Sequence, residues 1–334
     1  MLNLLRASAA AVATSLMLAV AITPAPAQTP APLKVGILRI ASPLFVGVEK
    51  KFFDAEGVPV EIIFFRSGSE LVPSLSRGQI DVAATAAGAA LYNTMASGIN
   101  TKIVADYFSL LPNSRSHGIL VRKELIDNGR VKSPSDLKGL TIAITATGQY
   151  THYAAARTLE KAGLSESDVR FVNMSYPDMT AALASGAIDA ASSVEPFMTL
   201  TAQKKTAQVL VYDSVTMPNL EVAVLMFGER LAGPDRATGV KFLRGYMKAV
   251  RYMHDALKDT AKAKDVAGIF QKRLPLQDAS LYENMGWPLS RADVSVNRPN
   301  LHEQLDWYVK RGLVRQKPNL DAFIDTTIAA DAAK

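Results

Sequence analysis

The chain has 334 residues, 49% of them hydrophobic and 20% charged, with a net charge of +6. That length and balance suit two globular domains and exclude disordered and fibrous classes. With no cysteine, disulfides, thiolate metal sites, a cysteine nucleophile and lipid attachment at an N-terminal cysteine are excluded, and basic residues interleaved with acids argue against a nucleic-acid binder.

The opening stretch MLNLLRASAAAVATSLMLAVAITPAPAQ sets Arg6 before an uncharged apolar run from Ala7 to Ile22 and ends in Ala25-Pro26-Ala27. It reads as a cleavable signal peptide over residues 1–27, too short in its apolar core to span a bilayer, followed by a tether at 28–32. A secreted chain without an anchor is expected in the periplasm. KVGILRI from Lys34 predicts a strand; after Ser42-Pro43, apolar Leu44, Val48 and Phe52 at helical spacing predict a helix stopping at Gly57. VEIIFF at 60–65 predicts a second strand, then a helix ending at Gly78 and the buried strand IDVAAT. TKIVADYF from Thr101 and GILVRKEL up to Leu125 predict two more strands.

The same order then recurs. LTIAIT at 140–145, a helix over 153–162 stopping at Gly163, VRFVNM at 169–174, AQVLVYDS from Ala207 and VAVLMFGERL up to Leu231 repeat the plan, and LASGAIDAA at 183–191 nearly copies LSRGQIDVA at 75–83. The unit therefore spans about 33–125 and returns over 140–231. Strands alternating with helices predict two mostly parallel sheets covered on both faces, with the chain beyond Pro234 as helices packed on the first. Ligands of such folds lie beyond the carboxyl ends of the strands, so the repeat predicts a doubled half-site.

PLFVGVEKKFFDAEGVPVEI, LVPSLSRGQIDVAAT, SPSDLKGLTIAI and AALASGAIDAASSVEPF resemble the solute-binding proteins of nitrate/sulfonate/taurine-type ABC importers, a family that also includes thiamine-pyrimidine binding proteins. The resemblance implies an α/β type II periplasmic binding fold. In it, lobe 1 (33–115 and 222–334, including C-terminal helices) and lobe 2 (116–221) are joined by a two-crossing hinge near 109–117 and 214–221. It implies a monomer that captures a small anionic or zwitterionic solute (sulfonate, nitrate, taurine or aromatic carboxylate) for a cognate permease and its ATPase, with no enzyme activity, cofactor, metal or nucleic acid. The alternatives are a thiamine-precursor (aminopyrimidine) binding protein and a biosynthetic enzyme of the same fold. The four histidines lack metal-ligand spacing, and no Gly-x-Ser-x-Gly elbow or phosphate loop is present.

The expected ligand contacts lie in loops after strands, rich in small hydroxyls and glycine before helices, where free N–H groups accept an anion. They are Ser42; Ser67, Gly68 and Ser69; Thr85 and Ala86; Thr145, Thr147, Gly148 and Tyr150; and Ser193 and Glu195. Glu195 has two readings, a ligand contact for a nitrogenous group or a helix-start cap. Arg39 and Arg66 end strands and are candidates for pairing an anion or for rim positions. Tyr150, His152 and Tyr176 are candidates for an aromatic wall. Trp307, in an amphipathic helix, and Trp287, in the loop MGWPL, read first as packing residues, with Trp287 also a candidate at the cleft mouth.

Overall fold

The computed structural model describes residues 31–334 apart from 67 and 277; the expected signal peptide, residues 28–30 of the tether and Ser67 lie outside the described residues. β1 (Leu33–Leu38) leads to α1 (Pro43–Glu49), which Ser42 starts by accepting the Leu44 N–H at 3.0 Å, with Pro43 at the first helical position. β2 (Val60–Phe65), α2 (Gly68–Ser76), β3 (Val82–Ala86), α3 (Ala89–Ala96) and β4 (Lys102–Ser109) complete the first series. The second contains β5 (His117–Arg122), α4 (Lys123–Asp127), β6 (Thr141–Ile144), α5 (Tyr150–Lys161), β7 (Arg170–Asn173), α6 (Tyr176–Ser185), β8 (Ala190–Val194), α7 (Phe197–Gln203) and β9 (Ala207–Tyr212). α8 (Asp213–Thr216) returns the chain to β10 (Glu221–Phe227). After it come α9 (Glu229–Ala232), α10 (Arg236–Ala256), α11 (Thr260–Arg273), α12 (Ala279–Asn284), α13 (Arg298–Lys310) and α14 (Thr327–Ala333).

Two five-stranded sheets result, ordered β2-β1-β3-β10-β4 and β7-β6-β8-β5-β9. In each, one strand runs against its neighbours: β10 is antiparallel to β3 and β4, and β5 to β8 and β9. Each of these strands comes from the far side of a crossing, at 110–116 or 213–220. The two crossings are themselves hydrogen-bonded, Leu110 N–H to the Leu220 carbonyl at 2.9 Å and Asn219 N–H to the Leu110 carbonyl at 2.8 Å. The first sheet shares one hydrophobic core with the C-terminal helices; α10 contributes Phe242, Leu243, Tyr246, Val250 and Met253, a stripe at helical spacing. The second sheet has a separate apolar cluster on each face. α5 starts at Tyr150 rather than at 153, because Tyr150, Thr151 and His152 turn inward and are buried. Among the described residues, no helix is long and apolar enough to cross a membrane.

The repeated phrase has a repeated structural task. Asp81 accepts the Lys34 N–H at 2.9 Å and pairs with Arg230 at 2.9 Å; Asp189 accepts the Thr141 N–H at 2.9 Å and pairs with Arg122 at 3.4 Å. In both halves the carboxylate ties the start of the parallel strand (β1 or β6) to the far end of the antiparallel one, at Arg230 just after β10 and at Arg122, the last residue of β5. The glycines of the phrase, Gly78 (φ +66°) and Gly186 (φ +77°), take the left-handed conformation that ends the preceding helix. Asp189→Ala should cost about 1–3 kcal/mol, since it leaves the Thr141 N–H without its partner. Urea unfolding of the variant beside the unchanged protein measures this.

Candidate functional site

A cavity lies between the two sheets, at the edge where the parallel strands end. On the first sheet's side it is lined by Leu38, Ile40, Ala41, Pro43, Ala84, Ala86, Tyr107, Phe108, Val222 and Ala223. From the second sheet's side come His117, Tyr150, Tyr176 and Val194, and Pro288 closes one end. Its free volume is about 70 Å³, well below the ~150 Å³ of a cavity that holds benzene. A larger depression of about 790 Å³ is open to solvent and walled by Arg122, Lys123, Glu124, Asp127 and Lys205. Arg122 is paired there with Asp189 and Glu124, and Lys123 with Asp127, so that surface reads as solvated ion pairs and not as a built site.

Among the described residues, no lysine or arginine lines the interior cavity. His117 stacks on Phe108 with centroids 4.5 Å apart and meets the Tyr150 ring edge-on at 5.1 Å. Burial pushes its imidazole down to about 3, so the ring is neutral at ordinary pH. The Tyr107 hydroxyl donates to Ser42 Oγ at 2.8 Å, and the Tyr150 hydroxyl to Asp213 Oδ2 at 2.7 Å. Burial raises the Asp213 carboxyl to about 7, and its Oδ1 has no hydrogen-bond partner among the described residues. The walls are thus aromatic and aliphatic, with hydroxyls and one neutral imidazole as the polar groups.

The expected contacts divide. Ala86 and Tyr150 line the cavity, and Ser42 lies between two lining residues while serving as the cap of α1. Thr85 is buried beside them, its hydroxyl 3.8 Å from where a Cβ on Gly68 would stand. The Gln149 Oε1 lies 3.6 Å from the corresponding points on Gly68 and Gly88, so this side chain fills the gap between the start of α2 and the start of α3. Gly148 (φ +80°) gives its carbonyl to the Ala89 N–H at 2.8 Å, joining the two sides. Thr145 is occupied with Thr151 at 2.7 Å; Thr147 and Ser69 are exposed; Ser193 is buried within β8 opposite Gly118.

Glu195 acts as a cap: its carboxylate accepts the Thr199 N–H at 2.9 Å and the Thr199 hydroxyl at 2.8 Å at the start of α7. Arg39 is exposed and lies 4.1 Å above the Phe64 ring; Arg66 is exposed as well. Tyr176 stacks on Phe197 at 5.6 Å and lines the cavity, whereas His152 is directed away from it, toward Glu166. Trp287 donates to the Tyr282 carbonyl at 3.0 Å and packs edge-on to Phe270; its neighbour Pro288 is the lining residue. Tyr107, Phe108, His117 and Gln149 were not anticipated. For Tyr107, Phe108 and His117 the one signal was their position at strand ends facing the crossings, since their residue types alone read as core; Gln149 lies in the same loop as Thr147 and Gly148, just before α5.

Among the described residues no group of three His, Asp or Glu side chains could hold a metal ion. Burial also raises Glu195 to about 7, against the pull of the Thr199 hydrogen bonds. For both Glu195 and Asp213, the unfolded chain releases its proton near the ordinary carboxylate values, 4.5 and 3.8, while the folded protein keeps it to about 7. The folded state binds more protons in that window, so stability falls as pH rises from about 4 to 7 and levels off above. The urea midpoint followed across that range should decline, and the decline should be smaller in Glu195→Gln and in Asp213→Asn.

The model of the NMT1/THI5-like family matches residues 41–257. A protein of Bacillus subtilis (strain 168), named for binding aliphatic sulfonates, is 28% identical over 236 residues, 69% of this chain and 67% of that protein. The alkanesulfonate-binding protein SsuA from Xanthomonas axonopodis pv. citri, solved with MOPS, superimposes with a TM-score of 0.70 at 20% identity, over 90% of this chain and 99% of that one. The periplasmic nitrate-binding protein NrtA from Synechocystis PCC 6803 gives a TM-score of 0.74 at 15% identity, over 90% and 88%. An enzyme shares the fold: the desulfurization enzyme DSZB has a TM-score of 0.64 at 14% identity, over 91% and 99%.

Proposed function

The chain belongs to the NMT1/THI5-like family, and from that premise we propose that it is the solute-binding component of an ABC importer. It works in the periplasm after removal of residues 1–27 and hands its solute to a permease with its own ATPase. The observation that carries this reading is the aromatic cavity between two sheets that exchange their antiparallel strands through paired crossings. Paired crossings are the natural bending point, and a solute touching both walls favours the closed state because only closure supplies both sets of contacts. With about 70 Å³ free, an organic solute enters by separation of the two sides.

The solute class follows from the lining. Aliphatic and aromatic walls reward an apolar body. An anionic head is accommodated by hydroxyls, the His117 imidazole and helix-start N–H groups, without a cation. A sulfonate or carboxylate with an alkyl or aryl body meets both conditions, whereas nitrate leaves the walls unused. Glu195, engaged with Thr199, offers little to an aminopyrimidine. Among the described residues the cavity carries no activated nucleophile, which favours capture over catalysis.

The test is a thermal-shift and calorimetry series with benzenesulfonate, ethanesulfonate, benzoate, taurine, nitrate and an aminopyrimidine. A solute at 100 times its dissociation constant adds about 2.7 kcal/mol of stability, a clear rise in melting temperature. Benzenesulfonate, ethanesulfonate or benzoate should bind, and Ala86→Leu, which fills the cavity, should remove the shift while the variant stays folded. Binding of nitrate alone would overturn the apolar-body reading, and silence from every solute would overturn solute capture.

A further inference from the structure

α13 rests on the first half of the molecule: the Tyr92 hydroxyl donates to the Leu301 carbonyl at 3.1 Å and Gln304 Nε2 to the Glu221 carbonyl at 2.8 Å. Its other face meets α5. Trp307 stands edge-on to Tyr153 at 5.0 Å and to His152 at 5.6 Å, and Arg311, just beyond the helix end, lies 3.7 Å above the Trp307 ring. Arg311 Nε donates to Glu166 Oε1 at 2.6 Å, and its Nη2 reaches Glu160. Behind this contact is His152, 4% exposed. Its Nδ1 accepts the Gly148 N–H at 3.2 Å, which assigns the ring proton to Nε2, and Nε2 donates to Glu166 Oε2 at 2.8 Å. Gly148 in turn holds the Ala89 N–H. One series of contacts therefore runs from Ala89 on the first sheet's side, through Gly148, His152 and Glu166, to Arg311 beyond α13.

We propose that His152 is a positioning residue that couples the loop at 145–149 to α13, and that solute capture weakens when its imidazole takes up a second proton. The proposal rests on the solute-binding reading above. A second proton lands on Nδ1 and turns the acceptor into a donor facing the Gly148 N–H. The two N–H groups then oppose each other, and the loop must give up its arrangement, including the carbonyl held by Ala89. The groups facing the ring are the Glu166 carboxylate before β7, the Arg311 guanidinium after α13 and the uncharged rings of Trp307 and Phe171. The hydrogen bond from His152, with that from Arg311, holds Glu166 down at about 2, so it stays ionised throughout and keeps its hold on Nε2–H. Protonation strengthens the pairing with Glu166 and removes the acceptor on the Gly148 side, so the contact that is lost is the one to the loop. Gly148 holds a φ of +80°, a conformation other residues adopt at a cost, so glycine at this position lets the loop turn its N–H toward the ring.

The test reads the loop directly, without solute, and then reads binding. Hydrogen-exchange protection of the Gly148 amide is followed by NMR as the pH is lowered stepwise, together with the His152 ring signals, which report when the second proton arrives. In the unchanged protein, protection should fall about tenfold as the ring titrates, the size of one lost hydrogen bond. In His152→Asn, whose side-chain oxygen stands in for Nδ1 and does not titrate, protection should stay level; in His152→Leu it should be low throughout. The affinity for benzenesulfonate, or for whichever solute of the series binds, should follow the same three profiles. Constant Gly148 protection through the ring titration, or a His152→Asn profile identical to that of the unchanged protein, would overturn the proposal. If no solute binds, solute capture fails as a reading, and the Gly148 profile still decides whether His152 positions the loop.

Discussion

β10 hydrogen-bonds β3 on one side and β4 on the other, and all seven of its residues are buried. The chain reaches it only after building the second sheet, so the first sheet is incomplete until the chain has crossed and returned. β5 does the same service for the second sheet between β8 and β9. This exchange forces two crossings side by side and brings the carboxyl ends of both sets of parallel strands to face each other. The cavity exists because of that constraint, and its walls include residues at the starts of the two exchanged strands, His117 of β5 and Val222 of β10.

Charge is managed by keeping it out of the cavity or pairing it nearby. Asp213 holds Tyr150, Glu195 holds Thr199, and His117 is neutral through burial. On the first sheet, Asp106 and Glu221 are fully buried; Arg291 pairs with Glu221 at 2.6 Å, and burial with the neighbouring carboxylate pushes Asp106 well up. The cavity is thus lined by preorganised neutral dipoles, and under the solute-binding proposal these would hold an anionic head without the desolvation cost of a buried guanidinium. The two sides meet at Gly148, whose carbonyl accepts the Ala89 N–H, and at Gln149, whose side chain lies between the starts of α2 and α3.

Much of this was legible in the residue order. Leu-x-x-Gly followed by Ile-Asp occurs twice because the same helix stop, buried strand and clamping carboxylate are needed once per sheet. Signals of that kind act over a few residues: a glycine for a left-handed turn, Ser42 and Pro43 for a helix start, an apolar run for a strand buried on both faces. Ala86, the last residue of β3, and Tyr150, the first residue of α5, line the cavity from the carboxyl end of a parallel strand and from the helix start that follows another.

What the sequence by itself determined is the α/β class, the duplication and the loops from which a site could be built. Tertiary structure alone decided which side chains meet. Arg39 settled on Phe64, and His152 faced Glu166 rather than the cavity, whereas the Glu195–Thr199 cap joins residues one turn apart. Phe108, His117 and Tyr150, distant in the chain, became one aromatic wall only through the strand exchange. The physical reason is that caps and turns are settled by neighbours within a turn of the chain, whereas the environment of a side chain in the cleft is set by packing between segments that meet only after both sheets are complete.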